Sequence, residues 1–291
     1  MIKSNISEKF LNKGLILNFK SKKLNYKSKK FSRELKSIFK KYGLIIFRDS
    51  KINVKNLLDF TKIYTKIYAQ DAIRRKKRFN EQNIRDVDKG LQKIDLHSEA
   101  SFTTACPDII TFYCKKPSRK SGATLICDGI NLWKNLNQKT RDYFLFNPIT
   151  YEVKASIDIK KNLYDKKWPM NIIGYGEGKI SFKNSYIKYK LKKFAINPTN
   201  IQNELSFANH LFVTLKSEKQ LISRKCNEKK IPNNILKEVK KISNELTEKI
   251  YLKKNDILLI DNKRFMHGRT KILKTEKNRD ILIVQSLKSK F

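Results

Sequence analysis

The sequence is poor in the residues that build several common functional devices. It has four cysteines, Cys106, Cys114, Cys127 and Cys226, none of them in a C-x-x-C pair. That argues against a thiolate zinc site or a disulfide framework, and for reduced, mostly buried thiols in a cytoplasmic protein. No run approaches the roughly 18 apolar residues of a membrane-spanning helix. The opening "MIKSNISEKFLNKG" lacks the apolar segment and small-residue cleavage site of a secretory signal. Glycine occurs 9 times and proline 6 times in 291 residues, and no Pro/Gly/Ser-rich linker divides the chain. The expectation is therefore one domain over 1–291, with a basic N-terminal segment over 1–30. Histidine is scarcer still, with only His97, His210 and His267.

Acidic residues are also few: 27 against 65 Lys and Arg, for a formal charge of +38. Phosphate neutralisation would make nucleic acid the natural partner of such a chain. The lysines, however, are scattered through "KSKKLNYKSKK", "IRRKKRF", "KEVKKI" and "KSK" rather than gathered into one arm or helix face. With Ile and Asn also abundant, the charge reads as codon bias on a solvated surface, and nucleic acid is not the expected partner. A basic nucleic-acid-binding protein is the competing reading from another functional class, and a field that attracts anionic small molecules is a third.

What is present is enough for a sizeable core, since 40% of residues are apolar and 11% aromatic. "FSRELKSIFKKYG" places Phe31, Leu35, Ile38, Phe39 and Tyr42 on one helical face, with Gly43 at the exit. "LIIF" reads as a buried strand, "VKNLLDFTKIYTKIY" as a second amphipathic helix, and "RRKKRFNEQNIRD" as an exposed loop. "LILNF" suits an edge strand. From residue 94 the texture turns to β: "IDLHSEASF", "DIITFYC", "ATLICDG", "YEVKASI" and "HLFVTL", then "DILLIDN", "GRTKI" and "RDILIVQSL". "GINLWKNLNQKTRDYFLF" and "NNILKEVKKISNELTEKIY" interrupt it as helices, the second with Ile235, Val239, Ile242, Leu246 and Ile250 on one stripe. The fold class expected is mainly β with flanking helices.

"DLHSEASF" holds the first functional signal. In a strand, residues i and i+2 share a face, so His97 and Glu99 would project together, placing an imidazole nitrogen and a carboxylate oxygen within reach of one metal ion. "DILLIDNKRFMHGRTKI" brings His267 back just after a very apolar strand. Two imidazoles and one carboxylate on one face leave three coordination positions open, the pattern of non-haem Fe(II) oxygenases. His210, in "FANHLFV", reads as a satisfied structural histidine.

Two blocks, "LHSEASFTTACPDIITFYCKKPSRKSGATLICDG" and "DILLIDNKRFMHGRTKILKTEKNRDILIV", together with the earlier "YGLIIFRDS", resemble the TauD/TfdA family of Fe(II)/2-oxoglutarate-dependent dioxygenases. The glutamate at 99 is more like the clavaminate synthase-like branch. The resemblance implies a double-stranded β-helix, or jelly roll, with its core over 94–291, and His97, Glu99 and His267 as catalytic iron ligands. It also implies Fe(II), O2 and 2-oxoglutarate as cofactor and co-substrates. Thr124 matches the threonine that helps bind 2-oxoglutarate. Arg279 matches the arginine that grips its distal carboxylate, with Arg269 as the alternative should the Lys-rich "KILKTEK" shift the alignment. The sequence departs from the family at Ala123, where a glycine is common, and at Asn255-Asp256, where Gly-Asp is familiar; Asn tolerates φ > 0. Asn209 and Trp168 are candidate substrate-pocket residues. The activity implied is hydroxylation or desaturation of a small polar, amino-acid-like metabolite in biosynthesis, with release of succinate and CO2. A sulfonate or other anionic compound is the alternative substrate. With Glu99 in place of the small residue found in related halogenases, halogenation is disfavoured.

Overall fold

A computed structural model describes residues 6–10, 14–19, 25–69, 75–156, 181–183, 186–213, 216–217, 220–226 and 229–291. The N-terminal third carries β1 (Ile6–Phe10), β2 (Gly14–Asn18), α1 (Lys29–Tyr42), β3 (Leu44–Arg48), α2 (Val54–Thr61), β4 (Thr65–Tyr68), β5 (Lys77–Arg78) and β6 (Glu81–Asp86). The middle holds β7 (Ile94–His97), β8 (Ile109–Lys116), β9 (Thr124–Asp128), α3 (Gly129–Asn135), α4 (Gln138–Phe146), β10 (Ile149–Ser156), β11 (Ser181–Lys183), β12 (Tyr186–Lys193), β13 (Asn197–Pro198) and β14 (Leu205–Ser206). After these come β15 (Lys216–Ser217), β16 (Gln220–Cys226), α5 (Asn233–Glu245), β17 (Glu248–Ile250), β18 (Ile257–Asp261), β19 (Phe265–Arg269) and β20 (Asp280–Ser289).

Two sheets face each other. The larger runs β1-β2-β3-β18-β8-β20-β6-β5, with β4 also on β20; the smaller runs β17-β9-β19-β7. A third sheet, β11-β12-β10-β16-β15, is an insertion beside the smaller one. Strand alternation distributes the apolar side chains. Ile257, Leu259, Leu282 and Val284 point to the layer of α1 and α2, where Phe31, Leu35, Leu57 and Phe60 pack. Leu258, Ile260, Ile281 and Ile283 point the other way and meet Ile126, Ile250 and Phe265 between the sheets. Leu96, Leu125 and Cys127 leave the smaller sheet outward, toward Leu132, Phe144, Ile235 and Val239. Strands buried on both faces read as continuous apolar runs, which is why "ILLI" and "ILIV" show no polar alternation.

Several expectations are corrected. The second amphipathic helix ends at Thr61, and Thr65–Tyr68 is the strand β4 on β20. The basic stretch near 80 is the hairpin β5–β6, turned by Phe79 and Asn80 at φ +56° and +59°. "LILNF" is not the edge, since β1 covers β2. "GINLWKNLNQKTRDYFLF" is two helices, α3 and α4, each begun by a side-chain cap, Asp128 and Asn137. Ile250 leaves the stripe of α5 and belongs to β17. Residues 210–213 of "HLFVTL" are not a strand. The larger sheet also draws strands from before residue 94. Among the described residues no helix is long and apolar enough to cross a membrane.

Candidate metal centre

The smaller sheet brings the two distant histidines together. His267, on β19, is the cross-strand partner of His97 on β7 and of Ile126 on β9. Their rings lie 4.5 Å apart, facing the space between the sheets. Glu99 does not share a strand with His97, as the sequence reading had it. β7 ends at His97, and the chain turns through Ala100 at φ +53°. The turn returns the carboxylate to the histidines: Glu99 Oε2 is 3.8 Å from His97 Nε2 and 3.6 Å from His267 Nε2. One donor atom from each residue falls within 4.8 Å of the others. These separations are too long for good hydrogen bonds. They suit atoms that share an ion at about 2.0–2.2 Å.

The protonation states fit the same use. Burial alone would raise the Glu99 carboxyl, but the Arg75 guanidinium and the two imidazoles hold it well below the usual carboxylate range. Burial and the neighbouring His97 push the His267 imidazole down to about 4, against the pull of Glu99. Near pH 7 the site therefore offers an ionised carboxylate and a neutral imidazole lone pair. His97 Nδ1 lies 2.9 Å from the Asp95 carbonyl, a contact that places the proton on Nδ1 and leaves Nε2 free to ligate. The third histidine joins this group without joining the donor set. His210 packs edge-on against His97 at 5.2 Å and against Phe102 at 4.7 Å, with Nδ1 3.3 Å from the Ser98 carbonyl. All three histidines of the chain thus gather at one place.

Other candidate residues separate sharply. Thr124 on β9 is buried and faces Arg269 across β19. Arg269 is committed to the backbone, with Nη1 donating to the Asp88 carbonyl at 2.5 Å and Nη2 to the carbonyls of Gly90 and Gln92. Arg279 is different: burial lowers its guanidinium to about 10, Arg269 adds to that, and no carboxylate stands among its electrostatic neighbours. Its stem passes Gly122, where a Cβ would lie 3.2 Å from Arg279 Cδ and where φ is +65°. Of the two positions before Thr124, glycine is thus needed at 122, and Ala123 is tolerated. Asn255 likewise has φ +67°, so asparagine serves where glycine was expected. The Asn209 amide is consumed structurally, donating to the Ala195 carbonyl and accepting from Leu211 N. Trp168 lies outside the described residues.

Two residues escaped the sequence reading. Arg75 donates from Nη2 to Glu99 Oε1 at 2.8 Å. Nothing in "IRRKKRF" sets it apart from its basic neighbours. Asn262, fully buried, accepts from Glu99 N through Oδ1 at 2.7 Å and donates through Nδ2 to the carbonyls of Glu99 and Pro107. Its place directly after the apolar strand was the available signal.

A family model described as taurine catabolism dioxygenase TauD, TfdA family, matches residues 12–285. No curated protein matches. Among solved structures, AAD-2 in complex with Mn(II) and N-oxalylglycine is similar, with TM-score 0.63 at 14% identity over 96% of this chain and 95% of that one. A putative alpha-ketoglutarate-dependent taurine dioxygenase from Burkholderia xenovorans gives 0.62 at 10% identity, covering 95% and 89%. A putative alpha-ketoglutarate-dependent 2,4-D dioxygenase from the same organism gives 0.59 at 13%, covering 94% and 93%. These similarities support the double-stranded β-helix fold expected from the sequence. With the family match spanning nearly the whole chain and a His-Glu-His donor set in place, the protein belongs to the TauD/TfdA family and is an Fe(II)- and 2-oxoglutarate-dependent dioxygenase.

Proposed function

We propose that His97, Glu99 and His267 hold the iron, and that the enzyme hydroxylates or desaturates a small polar, amino-acid-like metabolite in a biosynthetic step. The observation that carries this reading is the convergence of two Nε2 atoms and one carboxylate oxygen from two separate segments. Fe(II), with 2-oxoglutarate and O2, supplies oxidative decarboxylation to succinate and CO2 coupled to oxidation of a substrate C–H bond. The chain's own residues orient the reactants. His97, Glu99 and His267 would hold the metal with three donors and leave further coordination positions for the co-substrates. Arg279, half-buried and with no carboxylate among the charges acting on it, would receive the distal carboxylate of 2-oxoglutarate as a two-pronged hydrogen bond, with Thr124 supporting it from β9. Arg269 is not assigned that role, because both of its terminal nitrogens already meet backbone carbonyls. With Glu99 filling the third ligand position, halogenation is not proposed. Four free cysteines among the described residues suit a reducing compartment, in keeping with a cytoplasmic enzyme.

A second reading, an anionic substrate such as a sulfonate, is favoured by the cationic surroundings of the donor set. The taurine and 2,4-D dioxygenases named above lend it support by analogy of fold.

The test is succinate release from 2-oxoglutarate with Fe(II) in air, across panels of amino acids and of sulfonates. His267→Ala is expected to abolish metal binding, read by calorimetry with Mn(II), while leaving the circular dichroism spectrum intact; full turnover in that variant would exclude the ligand set. Arg279→Ala is expected to raise the 2-oxoglutarate concentration needed for half-maximal succinate release by at least tenfold, with Arg269→Lys much less affected. The reverse order would move the carboxylate to Arg269.

A further inference from the structure

The guanidinium of Arg75 is only half used. Nη2 meets Glu99 Oε1 at 2.8 Å, while Glu99 Oε2 faces the two histidines. The carboxylate is thus turned edge-on, one oxygen to the metal position and the other to arginine. Nη1 of the same guanidinium is enclosed and finds no acceptor among the described residues. Leaving a charged N–H buried without a partner is costly, and a guanidinium is a rigid fork built to serve two acceptors at once. The backbone of Arg75 is itself anchored, its carbonyl accepting from Arg85 Nη1 at 3.4 Å. The free edge is therefore placed, not wandering, and it lies beside the donor set.

Charge balance gives the class of acceptor. In the loaded site Glu99 and a carboxylate of 2-oxoglutarate would neutralise the divalent metal, and the other carboxylate of 2-oxoglutarate would neutralise Arg279. Arg75 would then share the single Glu99 charge with the metal, leaving an excess of positive charge beside the donor set that an anion would offset. A neutral amide or hydroxyl would satisfy the hydrogen bond and leave the charge.

We propose that Arg75 is the anion-holding residue of the substrate pocket: one edge of its guanidinium steadies Glu99 against the metal, and the other receives a carboxylate or sulfonate oxygen of the substrate. This rests on the dioxygenase reading of the site and narrows it to substrates carrying an oxyanion close to the oxidised carbon.

The experiment uses Mn(II)-loaded protein and two probes, methanesulfonate and acetate, whose methyl protons relax faster when held near the paramagnetic ion. The distance dependence of that relaxation silences anions bound to distant surface lysines. With 2-oxoglutarate present, the wild type is expected to show saturable enhancement for at least one probe. Arg75→Gln is expected to weaken the apparent affinity at least tenfold. Arg75→Lys, which keeps the charge but not the fork, is expected to fall between them with Mn(II) affinity within a few-fold of wild type. No saturable enhancement in the wild type, or equal affinity in Arg75→Gln, overturns the proposal. Enhancement that 2-oxoglutarate displaces competitively also overturns it, because the edge would then serve the co-substrate's own carboxylate. Failure of the wild type to bind Mn(II) is a separate result, and it removes the metal reading together with the proposal.

Discussion

Asn262 is not part of the candidate donor set, yet it fixes the backbone that carries Glu99. Its amide accepts from Glu99 N and donates to the Glu99 and Pro107 carbonyls, and its own carbonyl accepts from Ser98 Oγ at 2.7 Å. A single side chain thus fastens the turn that follows β7 to the turn that follows β18. Without it, the Glu99 N–H would lose its acceptor and the Glu99 carbonyl its amide donor. Asn262→Ala removes an acceptor and a two-hydrogen donor from a fully buried place, which is expected to cost about 2–4 kcal/mol. Mn(II) affinity is expected to fall by roughly 10–100-fold, as is usual when a residue orienting a ligand is lost. Thermal denaturation reads the first effect and calorimetry the second. Unchanged metal affinity in a folded Asn262→Ala protein would show that the turn holds Glu99 without its help.

At the scale of elements, the sequence is legible where one physical signal dominates. α1 carries a clean helical stripe, a Ser28 cap and Gly43 at φ +65°, so its limits could be read directly. β18 and β20 were found because strands buried on both faces are apolar throughout. The hairpin β5–β6 was missed because the usual Asn-Gly signature of a two-residue turn is replaced by Phe79-Asn80, and because its anchors are long-range: Arg78 pairs with Asp86 and with Asp280 of β20. β4 was hidden by joining α2 in one apolar run. For the site, His97 and His267 were legible through spacing from strands and through family resemblance. Glu99 was identified for a partly wrong reason, since strand alternation does not place it; a turn with a left-handed residue does. The proposal of Arg279 over Arg269 draws on the fold, because only the backbone course of residues 88–92 shows that both terminal nitrogens of Arg269 are occupied.

For the whole molecule, the question left by composition is what the +38 charge does. The fold separates the lysines. Exposed Lys36, Lys40 and Lys41 ride on α1, in the layer outside the larger sheet, whereas exposed Lys237, Lys240 and Lys241 ride on α5, outside the smaller one. Others, such as Lys62, Lys115 and Lys263, are drawn into pairs with Asp59, Asp280 and Asp108. Tight binding to a duplex needs several cations to meet the phosphates of one face together, each neutralised phosphate steepening the salt dependence by close to one unit in the logarithmic slope. Cations on opposite outer layers cannot do so at once. The protein is therefore expected to bind a labelled nonspecific duplex weakly, with an anisotropy titration at near-physiological salt giving no affinity in the micromolar range or tighter. Micromolar binding with a steep loss on adding salt would mean that the lysines assemble into one surface, and would make nucleic acid a partner of this enzyme.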